Sequence, residues 1–170
     1  GLSGNTEFAH LHLTVRQGGK VVDPFAYGAA AGGCNAGSSL WQPALRAALA
    51  YRQGTVLNRG FAAKPVTMEE IEAGTAEAQR PAADAPALIA YVRAIGLKAG
   101  DVQEIRIVGP DGATLVDQKA EPLDRPKAQS MVFAGRKRPP EGWKAGAYRA
   151  TYTVRRAGAV ALQESFDLRL

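Results

Sequence analysis

The sequence predicts a mainly β chain that ends in a small antiparallel sandwich, and three observations predict it. From Ala87 onward, apolar residues recur with a period of two, in about six short runs separated by turn residues. Near the amino end, Leu11, Leu13 and Val15 alternate with His10, His12 and Thr14 in the same period. Between these regions the helical signals are short, which suits a connector better than a helical domain.

Residues 1–7, GLSGNTE, form a turn-rich opening loop, because Gly, Ser and Asn favour such conformations. A first strand runs from about Phe8 to Arg16, with its leucines facing a core and its two imidazoles side by side on the opposite face. Gln17-Gly18-Gly19-Lys20 is a hairpin-type turn. The short strand Val21-Val22 stops at Asp23-Pro24, since proline has no N–H to give a ladder. Asp23 reads as the cap of that turn rather than a metal ligand.

Residues 28–39 are small and read as loop. Pro43 opens a short helix over 43–51, because its missing N–H costs nothing in a first turn. Trp41 reads as a packing residue of the connector, with a ligand platform as the alternative. Thr55-Val56-Leu57 reads as extended. Thr67-Met68-Glu69-Glu70 has the spacing of a capping box and predicts a helix of one or two turns ending near Gly74. Residues 75–86, rich in Ala, Pro and Glu, read as a linker or exposed connection.

Leu88 to Ile95 reads as a strand, with a helix as competitor because alanines dilute the pattern. Asp111-Gly112 marks a hairpin between 103–108 and 113–117. Met131 and Phe133 share one face of a further strand. Tyr148, Ala150, Tyr152 and Val154 alternate with Arg149, Thr151, Thr153 and Arg155, and Ala157-Gly158 then turns the chain toward Phe166, Leu168 and Leu170.

The chain has 170 residues, 46% of them hydrophobic and 22% charged, with net charge +5. These values suit one ordinary domain or two small ones. No apolar run approaches the length of a membrane span, and no ladder of aromatic and basic residues suggests nucleic acid. The lone Cys34 has no partner for an intrachain disulfide and reads as a buried thiol. It has no free histidine to activate it as a nucleophile. The chain starts at Gly1 with a strand pattern close behind, and is read as a processed or truncated product.

A bare H-x-H is a weak signal, but its surroundings are specific. Gly1-Leu2-Ser3-Gly4, a spacer, His10-Leu11-His12-Leu13-Thr14-Val15-Arg16, Gly18-Gly19-Lys20 and Val22-Asp23-Pro24 together resemble the last strand and hairpin of lysostaphin-type zinc endopeptidases. These are bacterial enzymes that cleave peptidoglycan. The match covers residues 1–27. It implies that His12 is a zinc ligand and that His10 is a catalytic histidine beside the metal.

It also implies that residues 1–27 are the terminal strands of a peptidase domain, 28–84 a partly helical connector, and 85–170 an appended immunoglobulin-like β-sandwich. The family's further ligands, a histidine and an aspartate four residues apart, and its second catalytic histidine have no counterpart here, since His10 and His12 are the chain's two histidines. The chain by itself is therefore expected to be inactive and to bind zinc weakly.

The resemblance places the parent in the bacterial periplasm or outside the cell. Its partners would be the peptidoglycan peptide and the missing upstream part of the catalytic domain. In a secreted parent, a bridge from Cys34 to an upstream cysteine stays open. The basic run Arg136-Lys137-Arg138, with Arg125 and Lys127 nearby in sequence, reads as solvated loop, with a grip on anionic wall polymer as the functional reading. Two other readings stay open: a non-catalytic regulator of another wall hydrolase, and an unrelated β-protein using both histidines as metal ligands.

Overall fold

The computed structural model describes residues 10–30 and 37–170. The chain divides into two units, Gly1–Arg52 and Gln53–Leu170.

In the first unit, β1 (Val15–Gln17) pairs antiparallel with β2 (Lys20–Val22). Gly18 and Gly19 both have positive φ, 55° and 79°, as the turn between them demands. Asp23 Oδ1 accepts the Phe25 amide at 2.8 Å and caps the Asp-Pro turn. The predicted first strand is shorter than expected. Residues 10–14 join no ladder among the described residues, Leu11 is 95% exposed and Leu13 61%. Alternation chooses a buried face only where a second layer covers it, and a two-stranded hairpin has no such layer of its own.

The predicted helix over 43–51 is a single 3-10 turn, Pro43–Leu45, opened by the proline as expected. Residues 42–50 are all exposed. Without a buried stripe, a helix of this length cannot offset its nucleation cost. Trp41 packs edge-on against Phe25 with centroids 5.6 Å apart, and Tyr51 lies 6.3 Å from the same ring.

The second unit is a seven-stranded antiparallel sandwich. Its strands are β3 (Thr55–Ala62), β4 (Ala87–Leu97), β5 (Val102–Val108), β6 (Thr114–Lys119), β7 (Lys127–Lys137), β8 (Ala147–Arg156) and β9 (Ala159–Arg169). One sheet has the order β3-β4-β7 and the other β6-β5-β8-β9. The chain changes sheets between β4 and β5, β6 and β7, and β7 and β8, the crossovers of an immunoglobulin-like sandwich.

The core lies between the sheets. Leu88, Ala90, Val92 and Ala94 of β4 face Ile105, Ile107, Ala150, Tyr152 and Val154. Tyr148, near the start of β8, donates its hydroxyl back to the Lys144 carbonyl at 2.8 Å, the corner expected of such folds. The turns at Asp111-Gly112 and Ala157-Gly158 fall where the sequence puts them, with Gly112 and Gly158 at positive φ.

β4 is buried on both faces, which explains its diluted alternation. Its outer face carries Tyr91 and Arg93, covered by α1 (Met68–Glu72) and the segment after it. The expected capping box is present: Thr67 Oγ1 accepts the Glu70 amide at 3.2 Å and Glu70 accepts the Thr67 amide at 2.8 Å. Residues 75–86 are mostly exposed, as expected of a connection, but they are anchored to the sandwich. They form a 3-10 turn, Thr75–Gln79, that buries Ala76, and then place Ala85 beneath Trp143, whose indole donates to the Ala85 carbonyl at 2.8 Å. Alanine-rich sequence reads as loop, yet small side chains are what let a segment lie this close to a sheet.

Thr67→Ala removes the cap and is expected to lower the unfolding free energy by about 1 kcal/mol, read by urea denaturation. An unchanged midpoint would mean that packing of Ile71 alone holds α1 in place.

Candidate functional site

His10 and His12 are both exposed, and their ring centroids lie 6.4 Å apart with planes tilted by 38°. An extended backbone places residues two apart on one side, so the segment presents both imidazoles together although it joins no sheet. Two imidazoles on one tetrahedral zinc, with bonds of about 2.0–2.1 Å, bring ring centroids to roughly 5 Å. The observed spacing is wider than that. Among the described residues, no group of three His, Cys, Asp or Glu side chains is placed to hold a metal. Among the described residues the two imidazoles fall short of the three or so protein ligands that a catalytic zinc needs.

The other sequence candidates divide. Asp23 is committed to its turn. Cys34 lies outside the described residues. Trp41 packs on Phe25, the structural role expected of it. Arg136, Lys137 and Arg138 are exposed together at the end of β7, whereas Arg125 and Lys127 belong to its start. An eleven-residue strand separates the two groups by roughly 30 Å, so they form no single patch.

The sequence reading missed a cleft of about 550 Å³ in the second unit, along the free edge of β3. Leu57 to Phe61 form one wall, Phe166 to Leu168 of β9 another, and Glu77, Arg80 and Tyr91 lie on the α1 side. Gly60 sits opposite Tyr91 in the β3–β4 register. A Cβ on Gly60 would stand 2.7 Å from the Tyr91 hydroxyl. A glycine inside a strand pattern is the sequence signal for such a close approach.

Fold and site together define a class: a mainly β protein with an amino-terminal hairpin, an exposed imidazole pair and a seven-stranded sandwich. No family model matches the chain, and no curated protein matches it. Among solved structures, the chain is similar to a CARDB domain from Pyrococcus furiosus, crystallised in complex with di-metal ions. The identity is 17%, over 49% of this chain and 71% of that one, with a TM-score of 0.32. A likeness that distant carries no inference about activity or metal binding.

Proposed function

We propose that this chain is the C-terminal part of a lysostaphin-type zinc metallo-endopeptidase acting on peptidoglycan cross-link peptides in the bacterial envelope. The observation that carries the reading is the string His10-Leu11-His12 set between a glycine turn and the Arg16, Gly18-Gly19 and Val-Asp-Pro hairpin. The exposure of both imidazoles, side by side, supports it.

His12 would hold the zinc through one ring nitrogen. Bound zinc supplies hydroxide at neutral pH by lowering the pKa of its water to about 7. His10, beside it, would take up a proton or steady the negative charge that develops on the scissile carbonyl. The remaining ligands would come from upstream, so this chain alone would not hydrolyse a peptide bond. The sandwich would position the catalytic part or touch the envelope.

Zinc titration of the present chain by calorimetry is expected to give a Kd weaker than about 10 μM, because two imidazoles without a third ligand leave the ion mostly hydrated. His12→Ala is expected to weaken binding further, and His10→Ala to change it less. Tight one-to-one zinc lost equally in both variants would favour a two-histidine metal site unrelated to the peptidases. In a polypeptide that also carries the upstream part, zinc-dependent cleavage of cross-link peptides is expected, lost in His12→Ala. An upstream part without an H-x-x-x-D string and a further histidine would overturn the enzyme reading and favour the regulator.

A further inference from the structure

β7 is an edge of the three-stranded sheet: it pairs with β4 and with no further strand among the described residues. The Arg138 amide donates to the Pro86 carbonyl at 2.8 Å, which continues the β4–β7 register by one pair. Hydrogen-bonded pairs alternate along an antiparallel ladder, so Met131, Phe133, Gly135 and Lys137 turn their N–H and C=O groups away from β4. Such an edge is a template for another extended chain.

A groove of about 620 Å³ runs along this edge. Its outer side is apolar: Phe133, 42% exposed in mid-strand, stands with Ile89, Met131 and Pro65. Between Phe133 and Lys137 the wall drops at Gly135, where a Cβ would run into the Leu88 carbonyl oxygen and stand 2.7 Å from Ile89 Cγ1. The close strand approach that excludes a side chain there leaves a notch in the groove.

The charge of the edge names the occupant. Arg136 and Lys137 are the charged residues of the groove lining, both exposed, and the lining holds no carboxylate. Neither makes an ion pair or a side-chain hydrogen bond among the described residues. At the far end of the strand, Lys127 is held by Asp124 at 3.2 Å. β7 reads K-A-Q-S-M-V-F-A-G-R-K, with basic residues at both ends and no acidic one. Pairing β7 with a second copy therefore gathers like charge, which opposes it. A strand with carboxylates opposite Arg136 and Lys137 meets attraction instead. A lipid surface would meet the same cations but offers no backbone groups to the edge.

We propose that the β7 edge binds an extended acidic segment of another polypeptide by antiparallel strand addition over residues 131–137, with carboxylates against Arg136 and Lys137 and an apolar side chain in the notch at Gly135. The proposal does not rest on the zinc reading, since every residue it uses belongs to the sandwich unit.

The test is an NMR titration of the full chain with acetyl-Glu-Asp-Phe-Thr-Val-Thr-amide, whose first three residues fall opposite Lys137, Arg136 and Gly135. One companion peptide has Lys-Lys in place of Glu-Asp. Another is N-methylated at Phe and Val, the residues whose amides would face β7. The acidic peptide is expected to bind with a Kd of about 0.1–1 mM, with shifts confined to residues 89, 118 and 131–137. The Lys-Lys peptide should bind about tenfold more weakly, because two attractions become two repulsions. In the double variant Arg136→Gln, Lys137→Gln the two peptides should differ by less than about twofold. Both side chains are exposed, so the variant keeps its fold, checked by unchanged resonances away from β7. The N-methylated peptide should not bind.

Equal binding of the N-methylated peptide would overturn strand addition. Equal affinity of the wild-type chain for the acidic and Lys-Lys peptides, or a preference that survives in the double variant, would overturn the part given to Arg136 and Lys137. Shifts elsewhere, or none at about 5 mM peptide, would overturn the site. Phosphatidylglycerol vesicles that shift β7 where the peptide does not would assign the edge to a lipid surface. Concentration-dependent β7 shifts without peptide would assign it to a second copy of the chain. Either result overturns the proposal.

Discussion

Arg156→Met is expected to destabilise the sandwich by about 3 kcal/mol at pH 7, at the lower end of the range for breaking a buried ion pair. Asp101 is fully buried, and Arg156 reaches it with two hydrogen bonds of 2.8 Å each. The Lys98 amide donates to the same carboxylate at 2.8 Å. Removing the guanidinium leaves a buried carboxylate with one remaining donor. The lower end applies because that amide stays and because the arginine side chain is itself 31% exposed.

The pH dependence carries a sign. The Arg156 hydrogen bonds, and then the Lys98 amide, hold the Asp101 pKa below its ordinary 3.8 against the opposing effect of burial. The pair's contribution is therefore present above pH 3.8 and lost as pH falls below it through the folded value. In the variant the main lowering cause is gone, and burial raises the pKa instead. The stability difference between wild type and Arg156→Met should be large at pH 7 and shrink toward pH 3. Urea denaturation at both pH values measures it, and equal differences at the two would remove Asp101 as the cause.

Gln103→Leu is expected to cost about 2 kcal/mol, the penalty for stranding a buried hydroxyl. The Tyr152 hydroxyl, inside the core, donates to Gln103 Oε1 at 2.8 Å. Gln103 Nε2 donates in turn to Ser130 Oγ of the opposite sheet at 3.0 Å. Burial, and then the Asp101 charge, push the Tyr152 pKa up, so this hydroxyl remains a donor throughout the stable pH range. Tyr152→Phe alone should cost about 1 kcal/mol. The double variant should be more stable than the sum of the two losses by about 1–2 kcal/mol, because both partners are then apolar. Strict additivity would mean that the hydroxyl and the amide do not depend on each other.

Local chemistry was readable wherever a residue acts on its near neighbours. The Thr67–Glu70 box, the Asp23 turn and the glycine turns at 18–19, 112 and 158 all appear where their residue types require them. β5 to β9 were readable because their faces differ in polarity, whereas β4, buried on both faces, left a helix open as competitor. The anchoring of residues 75–86 at Ala76 and Ala85 was not readable, for the opposite reason: alanine looks the same in a loop and beneath a tryptophan. The leucines of 10–14 were misread because a period of two names two faces without saying that anything covers either.

By itself, then, the sequence determined the β-rich character of the chain, its turns and caps, and the pairing of His10 with His12 on one side of an extended backbone. Only the tertiary structure decided that residues 55–62 open the sandwich as β3, that Asp101 meets Arg156, and that Gly60 makes room for the Tyr91 hydroxyl. The reason is range: turns and caps are settled by interactions over a few residues, whereas these contacts join positions 27 to 55 apart in the chain, which no local pattern encodes.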